Sequence, residues 1–172
     1  MKYSNLVKSA LHAAVLGFMA LGLISTSAVA QANPATTTFA VTAVVQKDCI
    51  VSAGALGFGN YIGAAVNASS TITVTCTSGT SYTVGLNAGL YTGGSVTNRQ
   101  MGPVATPTAG GLNYSLLTGS YTGTNWGNTS GSWVSGSGNG AAQPLTVYGV
   151  LPAGQYAAPG NYTDTITATV TY

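Results

Sequence analysis

Charge is what this chain has least of. Its 172 residues include four Lys or Arg, two Asp, no Glu and one His, so it offers no electrostatic footprint for nucleic acid or an acidic surface. The same scarcity removes most catalytic chemistry. His12 is the one histidine, and Asp48 and Asp164, 116 positions apart, are the carboxylate side chains. A Ser-His-Asp triad, a two-His metal site and a histidine acid or base are therefore excluded by inventory. Glycoside hydrolysis needs two carboxylates flanking a sugar, but Asp48 adjoins Cys49 and Asp164 is expected inside the last strand, Tyr162 to Tyr172. No enzyme, cofactor or metal is expected. Any convincing 3.6-residue period is also missing after residue 31, which argues against helices.

What is present begins with an export signal. Lys2 and Lys8 form a basic start, Ala13 to Ile24 an apolar run, and Ala28-Val29-Ala30 a small-x-small cleavage site, with Ala30-Gln31-Ala32 as a near alternative. Residues 1–30 are thus expected to be a signal peptide. The 12-residue apolar run falls short of the ~18 that span a membrane. A mature chain from near Gln31, about 142 residues, suits one domain with a real core. Its side-chain charge is zero, Lys47 and Arg99 against Asp48 and Asp164, which suggests a chain that ends up packed against others. Export places Cys49 and Cys76 in an oxidising compartment, where a disulfide is expected. Closing that 28-residue loop contributes roughly 3.6 kcal/mol on the loop-entropy model. The Asn-x-Ser/Thr matches at Asn67, Asn113, Asn128 and Asn161 carry no weight in so Asn-, Ser- and Thr-rich a chain.

Two-residue alternation recurs along the mature chain. Strands are predicted at Leu56–Phe58, at Thr71–Cys76 with Ile72, Val74 and Cys76 on one face, and at Tyr82–Leu86 with Tyr82, Val84 and Leu86 together. Others follow at Leu112–Leu116 and Leu145–Val150. The tract Gly119 to Gly140 reads as a long loop or irregular hairpin. The last eleven residues, Tyr162 to Tyr172, alternate almost without fault: every odd position from Thr163 to Thr171 is threonine, while Ile166, Ala168, Val170 and Tyr172 share the other face. Six or seven short strands point to an all-β sandwich.

The segment after the signal has the same character. Phe39, Val41, Ala43 and Val45 make one apolar face just before Cys49. This arm either pairs within its own molecule as a first strand, or leaves it and fills the open edge of another copy by β-strand addition.

Three motifs carry a resemblance. The alternating arm ending in Cys49 is followed by Leu56-Gly57-Phe58-Gly59-Asn60-Tyr61; Tyr148-Gly149-Val150-Leu151-Pro152-Ala153-Gly154-Gln155 comes later; Gly160-Asn161-Tyr162-Thr163-Asp164-Thr165-Ile166 precedes the end. In this order, with both cysteines in place, the chain resembles the spore coat protein U domain family, the subunit fold of archaic chaperone-usher pili. The resemblance covers the mature chain. It implies an incomplete immunoglobulin-like β-sandwich lacking its last strand, with residues 31–46 as an N-terminal donor-strand arm and 47–172 as the domain. It implies as partners a periplasmic chaperone, an outer-membrane usher and copies of itself or related subunits, and a place on the cell surface in a pilus that supports attachment and biofilm formation. Carried onto this sequence, Phe39, Val41, Ala43 and Val45 are donor residues, and Ile166, Ala168, Val170 and Tyr172 line the edge strand of the acceptor groove.

A different reading is a self-contained secreted sandwich that binds a polysaccharide or surface through Tyr121, Trp126 and Trp133, aromatics within the Gly/Ser/Asn-rich tract. Asp164 and Arg99 are further candidates for a structural contact.

Overall fold

The computed structural model describes residues 32–104 and 110–172; the expected signal peptide, 1–30, lies outside the described residues. The chain divides into two units, Met1–Thr42 and Ala43–Tyr172. In the first, residues 32–42 have no regular secondary structure and are exposed. The described residues of the second contain ten strands: β1 (Cys49–Ala53), β2 (Val66–Cys76), β3 (Ser81–Leu86), β4 (Arg99–Pro103), β5 (Leu112–Thr118), β6 (Thr124–Asn125), β7 (Val134–Ser137), β8 (Gln143–Leu151), β9 (Tyr162–Thr163) and β10 (Ala168–Thr171). Among the described residues there is no helix.

Two sheets form a sandwich-like, all-β fold. The larger has the order β1-β2-β8-β5-β4-β9, with β6 on β5, and the smaller has the order β10-β3-β7. Neighbours are antiparallel in every ladder between these strands. Alternation in the sequence becomes a core by the geometry of the pleat, which sends successive side chains to opposite faces. Ile72, Val74 and Cys76 of β2, Tyr82, Val84 and Leu86 of β3, and Leu112, Tyr114 and Leu116 of β5 are all buried. Each such apolar side chain contributes about 1.5–3 kcal/mol on burial.

Several expectations change. Leu56–Phe58 is not a strand; Gly57 interrupts it, Gly54 and Gly59 flank it, and Gly59 takes φ 70°, which a pleated strand does not accommodate. Its apolar side chains serve packing instead: Leu56 and Phe58 lie so close to Gly149 of β8 that a Cβ there would meet them at 2.9 and 3.0 Å. β1 and β4 lie outside the predicted strands, and β6 and β7 emerge from the tract read as a long loop or irregular hairpin. The closing tract is not one strand either. β9 pairs with β4 in the larger sheet and β10 with β3 in the smaller, so the alternating run crosses from one sheet to the other between Thr163 and Ala168.

Candidate functional site

The geometry that matters arises from two strands of unequal length. β2 has eleven residues and β1 five, so the ladder from Cys49↔Cys76 ends at Ala53↔Ile72. One more bond, Gly54 N–H to the Thr71 carbonyl at 2.9 Å, closes it, and the chain then turns away before Val66. β1 and β10 each stand last in their sheets. Their outer edges make no ladder among the described residues, as an immunoglobulin-like sandwich short of a strand requires, although part of β1 approaches β10.

Beyond Ala53 the sheets part around a cavity of about 1260 Å³. It reaches the middle of the core: Ile72, Leu86, Tyr114, Leu116, Val147 and Leu151 line it, and each is at most 5 % exposed. Folded interiors hold few voids larger than a water molecule, and small-molecule pockets run to about 300–1,000 Å³. This one is a cleft open to solvent, with an apolar floor and partly polar walls, elongated enough between the edges of β1 and β10 to take an extended segment of polypeptide.

One wall is the segment after β1. Tyr61 fixes it, its hydroxyl donating to the Pro152 carbonyl at 2.7 Å and accepting from the Gln155 N–H at 3.0 Å. Phe58 packs edge-on to Tyr114 with ring centroids 6.1 Å apart. The other wall is the crossing from β9 to β10, with Ile166 and Ala168 facing the space.

Asp164 pins that crossing. Its Oδ1 accepts from the N–H groups of Leu90, Tyr91 and Thr165, and its Oδ2 from the Tyr114 hydroxyl at 2.6 Å. Gly89, at φ 95°, is obligatory there because a Cβ would collide with the Asp164 carboxylate. Burial, then the hydrogen bond to Asp164, push the Tyr114 phenol well above its ordinary range. Arg99, fully buried, donates to the carbonyls of Asn87 (2.9 Å), Val96 (2.9 Å), Leu86 (3.2 Å) and Trp126 (2.7 Å). Burial lowers its pKa, while nearby Tyr114 and Asp164 act in the opposite direction. Arg99 and Asp164 therefore belong to one neighbourhood, centred on Tyr114, in which the hydrogen bonds of Arg99 go to main-chain carbonyls. Both oxygens of Asp164 are engaged in holding the chain, which is structural work.

The predicted site residues fall out unevenly. Cys49 and Cys76 form the disulfide, joining β1 to β2 at a Cα separation of 4.1 Å. Ile166, Ala168 and Val170 are half-buried and pack against the core, but Tyr172, expected on the same face, is 52 % exposed. The ladder with β3 stops at Thr171, leaving Tyr172 outside the sheet. Phe39, Val41, Ala43 and Val45 are exposed and lie in no strand. Of the aromatics expected at the surface, Trp126 is instead in the core, 1 % exposed, its indole N–H donating to the Val84 carbonyl at 2.8 Å. Trp133 is partly exposed, and Tyr121 packs edge-on to Tyr148 at 5.0 Å. The family motifs contained Tyr61 and Gly149 without giving either a role, and the convergence of Ile72, Leu86, Leu116 and Leu151 on one cavity has no local period to announce it.

The family model described as Spore Coat Protein U domain matches residues 35–169. "Protein U" of Myxococcus xanthus is 32 % identical over 180 residues, covering 95 % of this chain and 99 % of its own length. Among solved structures, the crystal structure of the CsuC-CsuE chaperone-tip adhesion subunit pre-assembly complex, from the archaic chaperone-usher Csu pili of Acinetobacter baumannii, is similar in fold. The TM-score is 0.58 at 24 % identity, over 74 % of this chain and 40 % of that one. The present chain thus spans less than half of that solved chain.

Proposed function

The chain belongs to the Spore Coat Protein U domain family, and from that membership and the open groove we propose that it is a structural subunit of a surface pilus assembled by donor-strand exchange. Residues 31–46 act as the donor arm and 47–172 as the acceptor domain. Phe39, Val41, Ala43 and Val45 of one subunit enter the groove of the next, laying main-chain hydrogen bonds along the free edge of β10, while alternate side chains fill the space over Leu86, Tyr114 and Leu151. Fully burying Phe39, Val41 and Val45 contributes about 1.5–3 kcal/mol each, before the ladder is counted. The contact is head to tail and does not close, a geometry that yields filaments rather than rings.

One observation carries this reading: a core-deep cavity of about 1260 Å³ bounded by two unpaired strand edges. The state of the arm agrees with it, since Val44 and Val45, in the same unit as the sandwich, are 88 % and 85 % exposed and unpaired. A hydrophobic groove left empty in transit is an aggregation hazard. A periplasmic chaperone that lends a strand, and an outer-membrane usher that exchanges it for the next arm, meet that need. The product is a pilus outside the cell that supports attachment and biofilm formation.

The test compares the mature chain with a form lacking residues 31–46, each purified with its chaperone. The intact chain polymerises and the truncated one does not. Val41→Asp blocks growth but leaves chaperone binding largely intact, because the altered residue is on the donor side only. Equal polymerisation of the truncated form would sink the donor-arm reading.

A further inference from the structure

One part of the groove's rim does not belong to the slot itself. Ile62 and Tyr156 border the cavity yet are 92 % and 95 % exposed. They stand on two loops locked together: Gly154 N–H donates to the Gly63 carbonyl at 2.9 Å, and Tyr61 bridges Pro152 and Gln155. Gln155 is held in turn by Asn113, accepting from its N–H at 2.6 Å and donating to its carbonyl at 2.9 Å. A Cβ on Gly63, next to Ile62, would lie 3.9 Å from the Tyr156 ring. Single exposed apolar side chains are ordinary. Two together on a fixed base, at the mouth of a hydrophobic groove, mark a contact surface.

Chain length says what covers it. Four Cα steps separate Val45 from Cys49, the first residue of β1. At no more than about 3.6 Å each they reach roughly 14 Å. A subunit whose Phe39–Val45 lies in a neighbour's groove must therefore bring its own β1 against that neighbour, at whichever end receives Val45. Every ladder between strands in this fold is antiparallel. β10 runs from Ala168, beside Leu86, toward Thr171, beside Thr83. A strand laid antiparallel on it puts Phe39 toward Thr171 and Val45 beyond Ala168, on the side of Ile166, Tyr156 and Ile62.

We infer that Ile62 and Tyr156 seat the body of the donating subunit, a second copy of this chain, so that each joint is an inserted strand plus an apolar cap. On the donating copy the adjoining apolar side chains are Val44, 88 % exposed, and Ile50, 65 % exposed. This inference rests on the donor-strand reading. It adds an orientation and a second contact.

Photo-crosslinking in assembled polymer tests it. With Tyr156→p-benzoylphenylalanine, irradiation joins position 156 to residues 44–52 of the neighbouring subunit, mapped by mass spectrometry. The same probe at Tyr172 reaches the neighbour's residues 36–40. Polymer in which the adducts to 44–52 come from position 172, or in which position 156 gives no intersubunit adduct, overturns the cap while donor-strand exchange stands. Failure of the unaltered chain to polymerise overturns both. As a second measurement, Ile62→Ser combined with Tyr156→Ser, both on the exposed rim, still yields polymer, and its subunits dissociate at least tenfold faster. An unchanged dissociation rate overturns the cap.

Discussion

The two ends of this sandwich are closed by different means. At the disulfide end the fold's own backbone does it: Gly79 donates to Gly138, Gly138 to Thr80 and Gly140 to Cys76, all at 3.1 Å or less, beside the Cys49–Cys76 bridge. At the other end the sheets part: the Asp164 carboxylate ties the Leu90–Tyr91 segment after β3 to Tyr114 of β5, while Tyr61 ties the segment after β1 to that after β8. The difference traces to one length, since β1 stops at Ala53 while β2 continues to Val66 at its far end. A sandwich can thus be completed at one end and left open at the other without a separate domain.

The largest blow to the closed end is loss of the disulfide. Cys49→Ser with Cys76→Ser removes roughly 3.6 kcal/mol on the loop-entropy account, read as a shift of the urea midpoint with unchanged slope. The groove is built by other residues, so the surviving folded fraction binds a synthetic peptide of residues 37–46 as before. Loss of peptide binding in protein that remains folded would show that the two ends are not separable.

Arg99 comes next, at the boundary between the ends. Replacing it with Met keeps bulk but leaves the carbonyls of Leu86, Asn87, Val96 and Trp126 without the guanidinium donor. Buried acceptors left unpaired cost about 1–3 kcal/mol each at most, and relaxation recovers part; about 3 kcal/mol in all is expected by denaturant melts. A loss under about 1 kcal/mol would mean that the carbonyls find other partners.

The same contrast explains what could be read from the sequence. At the closed end pattern suffices: Ile72, Val74, Cys76, Tyr82 and Val84 alternate in regular ladders, so burial follows the two-residue period. The family motifs also marked Tyr148–Gln155 and Gly160–Ile166, which flank the groove. The groove was legible in its walls, on the β10 side through Ile166 and Ala168 and on the other through the Leu56–Tyr61 motif. Its floor gathers side chains from β2, β3, β5 and β8, and no local period reports such convergence. Gly149 was visible as a glycine but not as the place where Leu56 and Phe58 pack. Trp126 misled because a Gly- and Ser-rich tract looks like surface, whereas its indole N–H finds the Val84 carbonyl inside. The sheet crossing was hidden because Tyr162 to Tyr172 keeps one alternation while its hydrogen-bonding partners change.

A smaller effect sharpens the open end. Tyr114→Phe removes the bond to Asp164, at about 1.5 kcal/mol for a hydrogen bond to a charged group. It also changes the alkaline response. The folded-state pKa of Tyr114 is raised above its ordinary 10.0, so its contribution is fully present below about pH 10 and is lost as pH rises beyond that, when the unfolded chain releases the proton first. The parent protein therefore loses stability above pH 10, and the Phe variant loses less over the same interval. Parallel curves for the two proteins would remove Tyr114 from the account.

Salt should distinguish the ends least of all. Of the charged side chains in residues 32–172, Arg99 is buried and Asp164 is half-buried with both oxygens bonded. Lys47 and Asp48 are exposed, adjacent and opposite in sign, in the short link between arm and β1. Asp164 borders the groove with both oxygens bonded inside the fold, and the Ile62–Tyr156 rim is uncharged, so little steers assembly and little is left for ions to screen. The polymerisation rate is expected to change by less than about twofold between about 0.05 and 0.5 M NaCl, where steered association falls steeply. Lys47→Ala with Asp48→Ala should leave that rate unaltered, because the pair's net charge is already zero. A steep salt dependence would locate the recognition in this link, and the apolar groove would then be the place where a subunit is held rather than the place where it is found.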